Sequence, residues 1–505
     1  MNHRQKLTGA ASVSVLLMTL TSCAVGPDYK RPDMTTQATL ATFKEALGWK
    51  VAAPNDAITR GKWWEAFGDT PLNALVEKVD INNQNLKIAE AKYRQAQALS
   101  SSVQSSFFPT ISANASETRS RAASGNTNRT ASTTGSSTNT GVASGNTFPV
   151  STNHNLSANF SWELDVWGRI RRQVEASDAS RQASAADLES ARLSAQSDLA
   201  FNYFQLRIND AQKQLLNDTV DAYAKSLELT KNRYNVGVAG KVDVAQAETQ
   251  LKSAQAQAID FGVQRAQLEH AIALLVGQAP GNFSLPELKW NIAVPAIPLA
   301  LPSSLLERRP DIAGAERRVA AANAQIGVAK AAYYPTLSLT GNGGYSSPSL
   351  ANWISAPNRF WSLGPSLAET IFDFGKRGAV TDQAVAVYDQ SVATYRQTVL
   401  QAFQEVEDNL AALRILETEA TVQEEAVKAA LESVALTLNQ YKAGTVSYLN
   451  VVSVQTALLS NERTAMTLTG RRLTASVGLI KALGGGWHNT DSGADGSTDA
   501  VTKPL

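Results

Sequence analysis

Apolar residues recur along this chain with two different periods. In the long segments they are spaced four and three residues apart, as in the series Tyr388, Val392, Tyr395, Val399, Phe403, Val406, Leu410 and Leu413. Such spacing places apolar side chains along one stripe of a helix that packs as a coiled coil. In shorter segments apolar and polar residues alternate, most regularly where the apolar positions are Leu156, Ala158, Phe160, Trp162, Leu164 and Val166. A period of two indicates a strand with one apolar face.

These periods predict long helices that alternate with pairs of short strands. The helices are expected at Leu72–Phe107, Gly168–Tyr234, Lys241–Gly277, before Tyr334, at Gly375–Ala443 and at Val446–Leu483. The strands are expected at Ile111–Ser116, Leu156–Val166, Thr336–Thr340 and Trp361–Phe372. A stretch rich in Ser, Thr, Gly and Asn at 119–152 separates the first two strands, and its composition predicts an exposed loop.

The second half of the chain repeats landmarks of the first half in the same order. Three motifs recur: Phe107-Phe108-Pro109-Thr110 as Tyr333-Tyr334-Pro335-Thr336, Trp167-Gly168-Arg169 as Phe374-Gly375-Lys376, and Tyr234-Asn235-Val236-Gly237 as Tyr441-Lys442-Ala443-Gly444. This order predicts an internally duplicated helix–strand–strand–helix plan of the α+β class, with repeats at 72–277 and 308–484. A proline-rich linker at 278–307 separates them, and the small polar residues of 485–505 predict a disordered tail.

The N-terminus has the pattern of a secretory signal. Arg4 and Lys6 precede a short apolar run, and Leu20-Thr21-Ser22-Cys23 fits a bacterial lipobox. We therefore expect a signal peptide at 1–22 and an acylated Cys23, which would also bind outer-membrane lipid. The alternative is a plain signal peptide with a chance cysteine. Residues 23–71, which are polar and broken by prolines, predict an extended segment after the anchor.

Four strands in one chain are too few to close a membrane-spanning sheet by themselves. Natural transmembrane barrels begin at about eight strands, because unpaired strand edges are not tolerated in lipid. The strand count therefore predicts self-association, and a trimer would supply about twelve strands. The alternative is a soluble sheet packed on the helices.

Composition and charge exclude several classes of function. The formal net charge of +1 gives no reason to expect a nucleic-acid partner. The four His are scattered, Cys23 is the single cysteine, and no nucleophile elbow, P-loop or His-Glu-x-x-His motif occurs. We therefore predict no enzymatic activity, no cofactor and no metal site. The four Met also argue against a thioether relay for metal export.

Three stretches resemble a known family. They are Gly26–Pro32 directly after the lipobox, Gly61–Phe67, and Leu306–Ile312 with the segment Ala320–Pro335 after it. Over essentially the whole mature chain, the sequence is similar to the TolC-like outer-membrane factors, in the branch of NodT-type efflux lipoproteins. The resemblance implies a homotrimer with a 12-stranded outer-membrane β-barrel that continues into a long periplasmic α-helical barrel. It also implies a periplasmic adaptor protein and an inner-membrane pump of the resistance-nodulation-division (RND) type as partners.

The same resemblance places a gate at two Tyr-x-x-Gly turns, which form the periplasmic tip in that family. The matching segments here are Tyr234 to Val244, with Gly237 and Asp243, and Tyr441 to Val451, with Gly444. Asp243 matches a carboxylate that holds neighbouring tips together in relatives, Tyr441 matches one of its partners, and Leu449 matches an apolar ring. For Asp243, the alternative is a solvated turn or a helix-cap carboxylate.

Three positions depart from the family pattern at the second tip. Val446 replaces an Arg, and Asn450 and Ser453 stand where relatives can carry aspartates. We expect a gate that closes more by apolar packing than by ion pairs, with weaker cation preference.

At the other end of the helices, the expected junctions between helix and barrel are marked by Pro109, Pro335, Gly168 and Gly375.

Two alternatives concern the role of the whole chain. A periplasmic adaptor also uses a helical hairpin, but it would show one hairpin flanked by small β modules and no duplication. An exit duct for type I protein secretion would share the predicted architecture and differ only in cargo. The branch that the chain resembles favours a passive exit duct for drugs or other small toxic compounds. The identity of the substrate and of the pump stays open at this stage.

Overall fold

A computed structural model of the chain describes residues 24–32, 62–121, 150–288, 294–295 and 309–485. The chain divides into two compact units. Unit 1 is formed from Met1–Tyr29, Ala98–Asp178 and Ala321–Tyr388, and unit 2 from Lys30–Gln97, Ala179–Ala320 and Asp389–Leu505. Each unit therefore takes residues from both repeats.

Seven α-helices lie within the described residues, and all but the first two follow the predicted bounds closely. They are α1 (Thr70–Asn82), α2 (Gln84–Gln104), α3 (Arg169–Asn235), α4 (Lys241–Leu275), α5 (Pro310–Ala331), α6 (Lys376–Ala443) and α7 (Tyr448–Ala482). None of these helices carries an apolar stretch long enough, and poor enough in charge, to cross a lipid bilayer.

The prediction of one helix over Leu72–Phe107 was wrong, because the chain breaks at Asn83. The backbone of Asn83 is extended, with φ −60° and ψ 124°. Its side-chain oxygen accepts hydrogen bonds from the backbone N–H groups of Asn85 and Leu86, at 2.9 and 3.1 Å. Its Nδ2 donates to the carbonyl of Leu275 at 2.8 Å. Asn83 therefore caps α2 and ties the break to the end of α4, a contact that periodicity does not encode.

Unit 1 contains one antiparallel sheet of four strands in the order β1-β2-β3-β4. The strands are β1 (Thr110–Ser120), β2 (Ser151–Leu164), β3 (Thr336–Ser347) and β4 (Arg359–Ala368). β3 is longer than predicted, and β4 ends four residues before the predicted Phe372. The order brings one strand pair from each repeat together at β2 and β3 and leaves β1 and β4 at the edges.

The sheet has one apolar and one polar face, as the period of two predicts. Its pairing aligns apolar residues across the strands, for example Ile111, Phe160, Gly341 and Leu363 in one row. The neighbouring row, on the other face, is Ser112, Asn159, Asn342 and Ser362. Several apolar side chains of the first face are largely exposed, among them Ile111, Trp361, Leu363 and Leu367. A soluble sheet would bury such a face, so its exposure disfavours that alternative.

The two hairpins have the same register when they are compared repeat by repeat. Thr110 pairs with Ser161 in the first hairpin, and Thr336 pairs with Ala368 in the second. Thr110 and Thr336 each follow the proline of the repeated motif, and Ser161 and Ala368 each stand six residues before Trp167 and Phe374. The duplication seen in the sequence therefore extends to individual backbone pairs.

In unit 1, residues 24–28 lie against the helices that adjoin the sheet. The N–H of Val25 donates to the carbonyl of Trp167 at 3.0 Å, and Arg172 pairs with Asp28 at 2.7 Å. Gly26 has φ +110°, and a Cβ there would meet the backbone of Gly327 at 2.5 Å. Only glycine fits this close approach, which accounts for Gly26 in the stretch Gly26–Pro32.

In unit 2, the two tryptophans of the stretch Gly61–Phe67 are core residues. Trp63 and Trp64 are buried with Leu72, Tyr203 and Phe204 in one apolar cluster. The indole N–H of Trp63 donates to Gln196 at 3.2 Å. Trp63, Trp64 and Phe67 therefore stabilise the fold of this unit, since buried aromatic side chains contribute large apolar areas.

Arg309 links three helices in unit 2. Its guanidinium contacts both carboxylate oxygens of Asp311 at 3.0 and 2.7 Å, Glu405 at 2.7 Å and the carbonyl of Ala482 at 3.1 Å. Although burial opposes the charged form, these carboxylates raise the pKa of Arg309 above its usual value. The family motif around Arg309 thus joins the start of α5 to α6 and to the end of α7.

Several predicted segments lie outside the described residues. They are the signal peptide and Cys23, residues 33–61, the centre of the loop at 119–152, most of the linker at 278–307 and the tail after 485. Among the described residues, no group of three His, Cys, Asp or Glu side chains is placed to hold a metal ion.

Candidate functional site at the two helix tips

The turns that join α3 to α4 and α6 to α7 have the same backbone geometry. In the first, Gly237 has φ +79°, its N–H donates to Tyr234 at 2.9 Å, and the N–H of Val238 donates to Arg233 at 2.9 Å. In the second, Gly444 has φ +80°, its N–H donates to Tyr441 at 3.0 Å, and the N–H of Thr445 donates to Gln440 at 3.0 Å. This is the Schellman motif, in which a left-handed glycine ends a helix.

The helices that follow the two turns begin differently. At the start of α4, Oδ2 of Asp243 accepts a hydrogen bond from the N–H of Gly240 at 3.2 Å. The equivalent residue of α7 is Asn450, which is exposed, and the N-cap residue Ser447 makes no side-chain capping bond. Within one chain, Asp243 thus acts as a helix-cap carboxylate, which was the alternative to a role in the gate. That Asp243 holds the tips of neighbouring copies together stays a prediction.

Side chains from both hairpins meet in one buried group, which we call the tip cluster. Its members come from α3, α4, α6 and α7: Tyr223, Leu227, Ala247, Leu251, Ala254, Tyr441, Tyr448 and Val451. Val446 packs against it and is half-buried. The cluster joins the two repeats at the tips by apolar packing, and the expected closure of a gate by such packing stays a prediction.

Two tyrosines of the tip cluster form hydrogen bonds that run between the repeats. The hydroxyl of Tyr441 donates to Oγ1 of Thr230 at 3.4 Å, and the hydroxyl of Tyr448 lies 3.2 Å from Oγ of Ser226. The two rings are 5.4 Å apart and edge to face. Burial raises the pKa of Tyr448, so its hydroxyl remains neutral at physiological pH. In the described part of the chain, no hydrogen bond joins Tyr441 to Asp243.

Arg233 is the residue at the tips that sequence reasoning missed. Its guanidinium carbon lies 4.7 Å from the centre of the Tyr441 ring. Its Nη1 donates to the carbonyl of Lys442 at 2.9 Å. The carbonyls of a final helical turn lack helical partners and carry partial negative charge, so a cation there is favourable. The sequence signal that could have revealed Arg233 is a difference between the repeats. Arg233 precedes Tyr234 in the first repeat, whereas Gln440 precedes Tyr441 in the second.

The remaining predicted tip residues lie on the surface of the single chain. Val238 and Leu449 are 63% and 55% exposed. Asn450 and Ser453 are exposed, and the Ser453 hydroxyl donates to the carbonyl of Leu449 at 3.0 Å. Tyr234 is also exposed, in contrast to its equivalent Tyr441. The tips therefore expose both apolar and polar side chains, and Lys241 and Lys442 are exposed charges beside the two turns.

The four predicted junction residues lie where helices and strands meet in unit 1. Pro109 and Pro335 directly precede β1 and β3, and Gly168 and Gly375 directly precede α3 and α6. Trp167 stacks on Tyr334 with ring centres 4.9 Å apart, and its indole N–H donates to the carbonyl of Pro335 at 2.8 Å. The end of β2 is thereby attached to the start of β3.

Comparison with known proteins gives consistent matches over nearly the whole chain. The family model for "Outer membrane efflux protein" matches residues 75–278 and 301–485, one stretch in each repeat. The antibiotic efflux pump outer membrane protein ArpC of Pseudomonas putida is 30% identical over 493 residues, covering 97% of this chain and 98% of ArpC.

Two further proteins resemble the chain to a similar degree. The solvent efflux pump outer membrane protein SrpC of Pseudomonas putida is 31% identical over 472 residues, covering 93% of this chain and 97% of SrpC. The structure of the outer-membrane channel OprN is similar with a TM-score of 0.81 and 30% identity, covering 92% of this chain and 100% of OprN. The similarity thus holds at the level of both sequence and fold.

Proposed function

The chain belongs to the outer membrane efflux protein family, and we propose that it is the exit duct of a three-component efflux system for drugs or other small toxic compounds. It is an outer-membrane efflux channel that reaches into the periplasm. The observation that carries this conclusion is that the family model matches both repeats. The alignment with ArpC also spans nearly the full length of both chains. The relatives are efflux channels by name, which disfavours type I protein secretion.

We propose the homotrimer, the 12-stranded β-barrel and the periplasmic α-helical barrel as the assembled form. Two features of the sheet support this proposal. Its apolar face is exposed, and β1 and β4 have no partner on their outer edges within the described residues. Pairing between copies would satisfy those edges, which lipid does not tolerate unpaired. A lipid anchor at Cys23 is part of the same proposal.

The proposed partners are a periplasmic adaptor protein and an inner-membrane pump of the RND type. The tips would receive the adaptor, and the exposed valines near Gly237 provide apolar surface for it. The tip cluster would hold the duct closed until the adaptor binds. The substrate class follows the relatives, which are named for antibiotics and solvents. The family consists of transport channels, and we propose no catalytic role for this chain.

Photocrosslinking in living cells tests the proposed partners. With a photoreactive amino acid in place of Val238, we expect capture of the adaptor of a proton-driven efflux pump, identified by mass spectrometry. The control carries the same amino acid at Ile415, an exposed position in the interior of α6 and away from the tip. It should capture at most another copy of the chain. Capture of an ATP-driven secretion adaptor at Val238 would refute drug efflux, and capture of extracellular partners would refute the placement of the tips.

Ion selectivity tests the proposed character of the gate. We expect Asn450→Asp with Ser453→Asp to increase cation selectivity in planar bilayers, because each copy adds carboxylates to one constriction. The measurement is the reversal potential in a salt gradient. The control is Ser460→Asp, two turns further along α7, which adds a like charge away from the tip and should have a smaller effect. An unchanged reversal potential in the double variant would contradict the proposed gate.

A further inference from the structure

The apolar face of the sheet becomes cationic at the end that lies away from the helices. β1 and β3 begin next to α2 and α5, and β2 and β4 end next to α3 and α6, so one end of every strand adjoins a helix. Every second residue from Ile111 on β1 and from Leu363 on β4 lies on this face, which reaches Arg119 and Arg359 at the opposite end. We call this opposite end of the face the distal rim, defined by Glu117, Arg119, His154 and Arg359.

The apolar part of the face has nearly the height of a lipid hydrocarbon layer. On β2 it runs from Leu164 to Leu156, which is about 27 Å along the strand and about 21 Å along the membrane normal at a tilt of about 40°. The outward apolar band of outer-membrane barrels is about 25 Å tall. His154 is the next residue of β2 on this face, so the distal rim begins at the level where lipid headgroups replace acyl chains.

Aromatic side chains surround Arg359 at the distal rim. Tyr345 pairs directly with Arg359 across β3 and β4, and Trp361 is the next residue of β4 on the same face. Trp361 is 76% exposed. The loop after β3 adds Trp353, whose indole N–H donates to the carbonyl of Tyr345 at 3.3 Å. Tryptophan and tyrosine are the residues that collect at the boundary between acyl chains and headgroups.

The two arginines of the distal rim have no partner inside the described part of the chain. Arg119 and Arg359 are both exposed, and neither forms a hydrogen bond or an ion pair with another described residue. Glu117 is the one acidic residue on this face of the four strands, and its carboxylate lies 3.7 Å from Nδ1 of His154. His154 is buried, with its ring centre 5.9 Å from that of Trp353. Both guanidinium groups are therefore available to an anion from outside the chain.

On the basis of the outer-membrane barrel in the proposed function, we propose that the distal rim binds the phosphate groups of outer-leaflet lipid headgroups. Arg359 and Arg119 each hold one phosphate group. Trp361 packs against the acyl chains beside Arg359. The lipid thereby fixes the level at which this end of the sheet stands in the membrane.

Charge and shape together select this occupant. A guanidinium group presents a planar fork of N–H donors that matches two oxygens of one phosphate. The apolar face directly beside the arginines is the kind of surface that acyl chains cover. A lipid with a phosphate-bearing headgroup meets both surfaces at once, whereas inorganic phosphate meets only the arginines.

Native mass spectrometry of the full-length protein in detergent tests the site. The probe is lipid A with two phosphate groups, compared with lipid A from which both phosphates have been removed. We expect Arg359→Gln and Arg119→Gln each to weaken binding of the phosphorylated probe several-fold, and the double variant to weaken it further. Removal of the phosphates should weaken binding to the unmodified protein to a similar extent as the double substitution.

Two variants control for the loss of charge. Arg94→Gln removes an exposed arginine of α2, and it should leave lipid binding unchanged. Arg359→Lys keeps the charge but loses the planar fork, so its affinity should be intermediate. Unchanged binding in the double variant, or an equal loss in Arg94→Gln, would overturn the site. Displacement of the probe by an equal concentration of inorganic phosphate would overturn the lipid as its occupant.

The level of the distal rim has its own test in lipid vesicles. A fluorophore attached to Arg359→Cys should be quenched more by a quencher on the lipid headgroup than by one near the end of the acyl chain. The same fluorophore on Leu363→Cys, two steps along the same face, should show the reverse order. The unmodified protein, with Cys23 retained, reports the background. The same order of quenching at both positions would overturn the placement of the rim.

Two outcomes separate failure of this site from failure of the proposed function. If the double arginine variant binds the probe as well as the unmodified protein and still confers drug resistance, the lipid site alone is refuted. If deletion of the gene leaves drug resistance unchanged, the proposed function is refuted, whatever the lipid measurements show.

Discussion

Replacing Arg233 by alanine should increase the open probability of the channel in planar bilayers. Arg233 is the only side chain of the described tips whose charge links the two hairpins of one chain, through the Tyr441 ring and the Lys442 carbonyl. A partly exposed contact of this kind contributes about 1.4 kcal/mol, which corresponds to roughly a tenfold change in the equilibrium between closed and open tips. Several copies in one assembly would enlarge the effect.

Two variants show which property of Arg233 matters. Arg233→Lys keeps the charge but loses the planar group that stacks on Tyr441, so its open probability should be intermediate. Lys231→Ala removes an exposed charge from the same helix and should behave like the unmodified protein. If Arg233→Ala lowers thermal stability and leaves the open probability unchanged, the contact stabilises the tip without controlling the gate.

Replacing Arg309 by methionine should lower the unfolding temperature of the purified protein by several degrees. Methionine fills a similar volume, but it leaves Asp311, Glu405 and the carbonyl of Ala482 without their shared donor. Removal of one partner from a buried ion pair costs about 3 kcal/mol or more. The cost should lie at the lower end of this range, because the carboxylates of Asp311 and Glu405 remain partly exposed to water. Circular dichroism during heating measures the change.

Arg318, which lies within α5, provides the comparison. Arg318 pairs with Asp187, and both side chains are about half exposed. Exposed ion pairs contribute less than about 1 kcal/mol, so Arg318→Met should leave the unfolding temperature nearly unchanged. Equal losses for Arg309→Met and Arg318→Met would show that the cluster around Arg309 has no special role in stability.

Much of the fold could be predicted because the relevant signals are local. The spacing of apolar residues identified the long helices, including α6, and the alternation in Leu156–Val166 identified β2. The Tyr-x-x-Gly turns were also predictable, because a glycine after a helix favours the left-handed conformation that ends it. Val446 is half-buried against the tip cluster, and its predicted role in a gate stays a prediction.

Other features were missed because they depend on residues that are distant in sequence. The break at Asn83 is fixed by a hydrogen bond to Leu275, and periodicity across the break is unchanged. Arg233 contacts Lys442, which is 209 positions away. The helix pattern around Arg233 is the same whether or not that contact forms, so only a difference between the repeats hinted at it.

The sequence by itself determined the helices, the strands, the faces of the strands, the duplication and the family of this protein. Each of these follows from the identity and spacing of neighbouring residues, which set local backbone preferences and the side on which apolar groups lie. Only the tertiary structure decided which strands pair, that both hairpins share one register, and which side chains join the tips. These depend on packing between segments far apart in the chain, where complementary shape and partnered polar groups select one arrangement among many with the same local pattern.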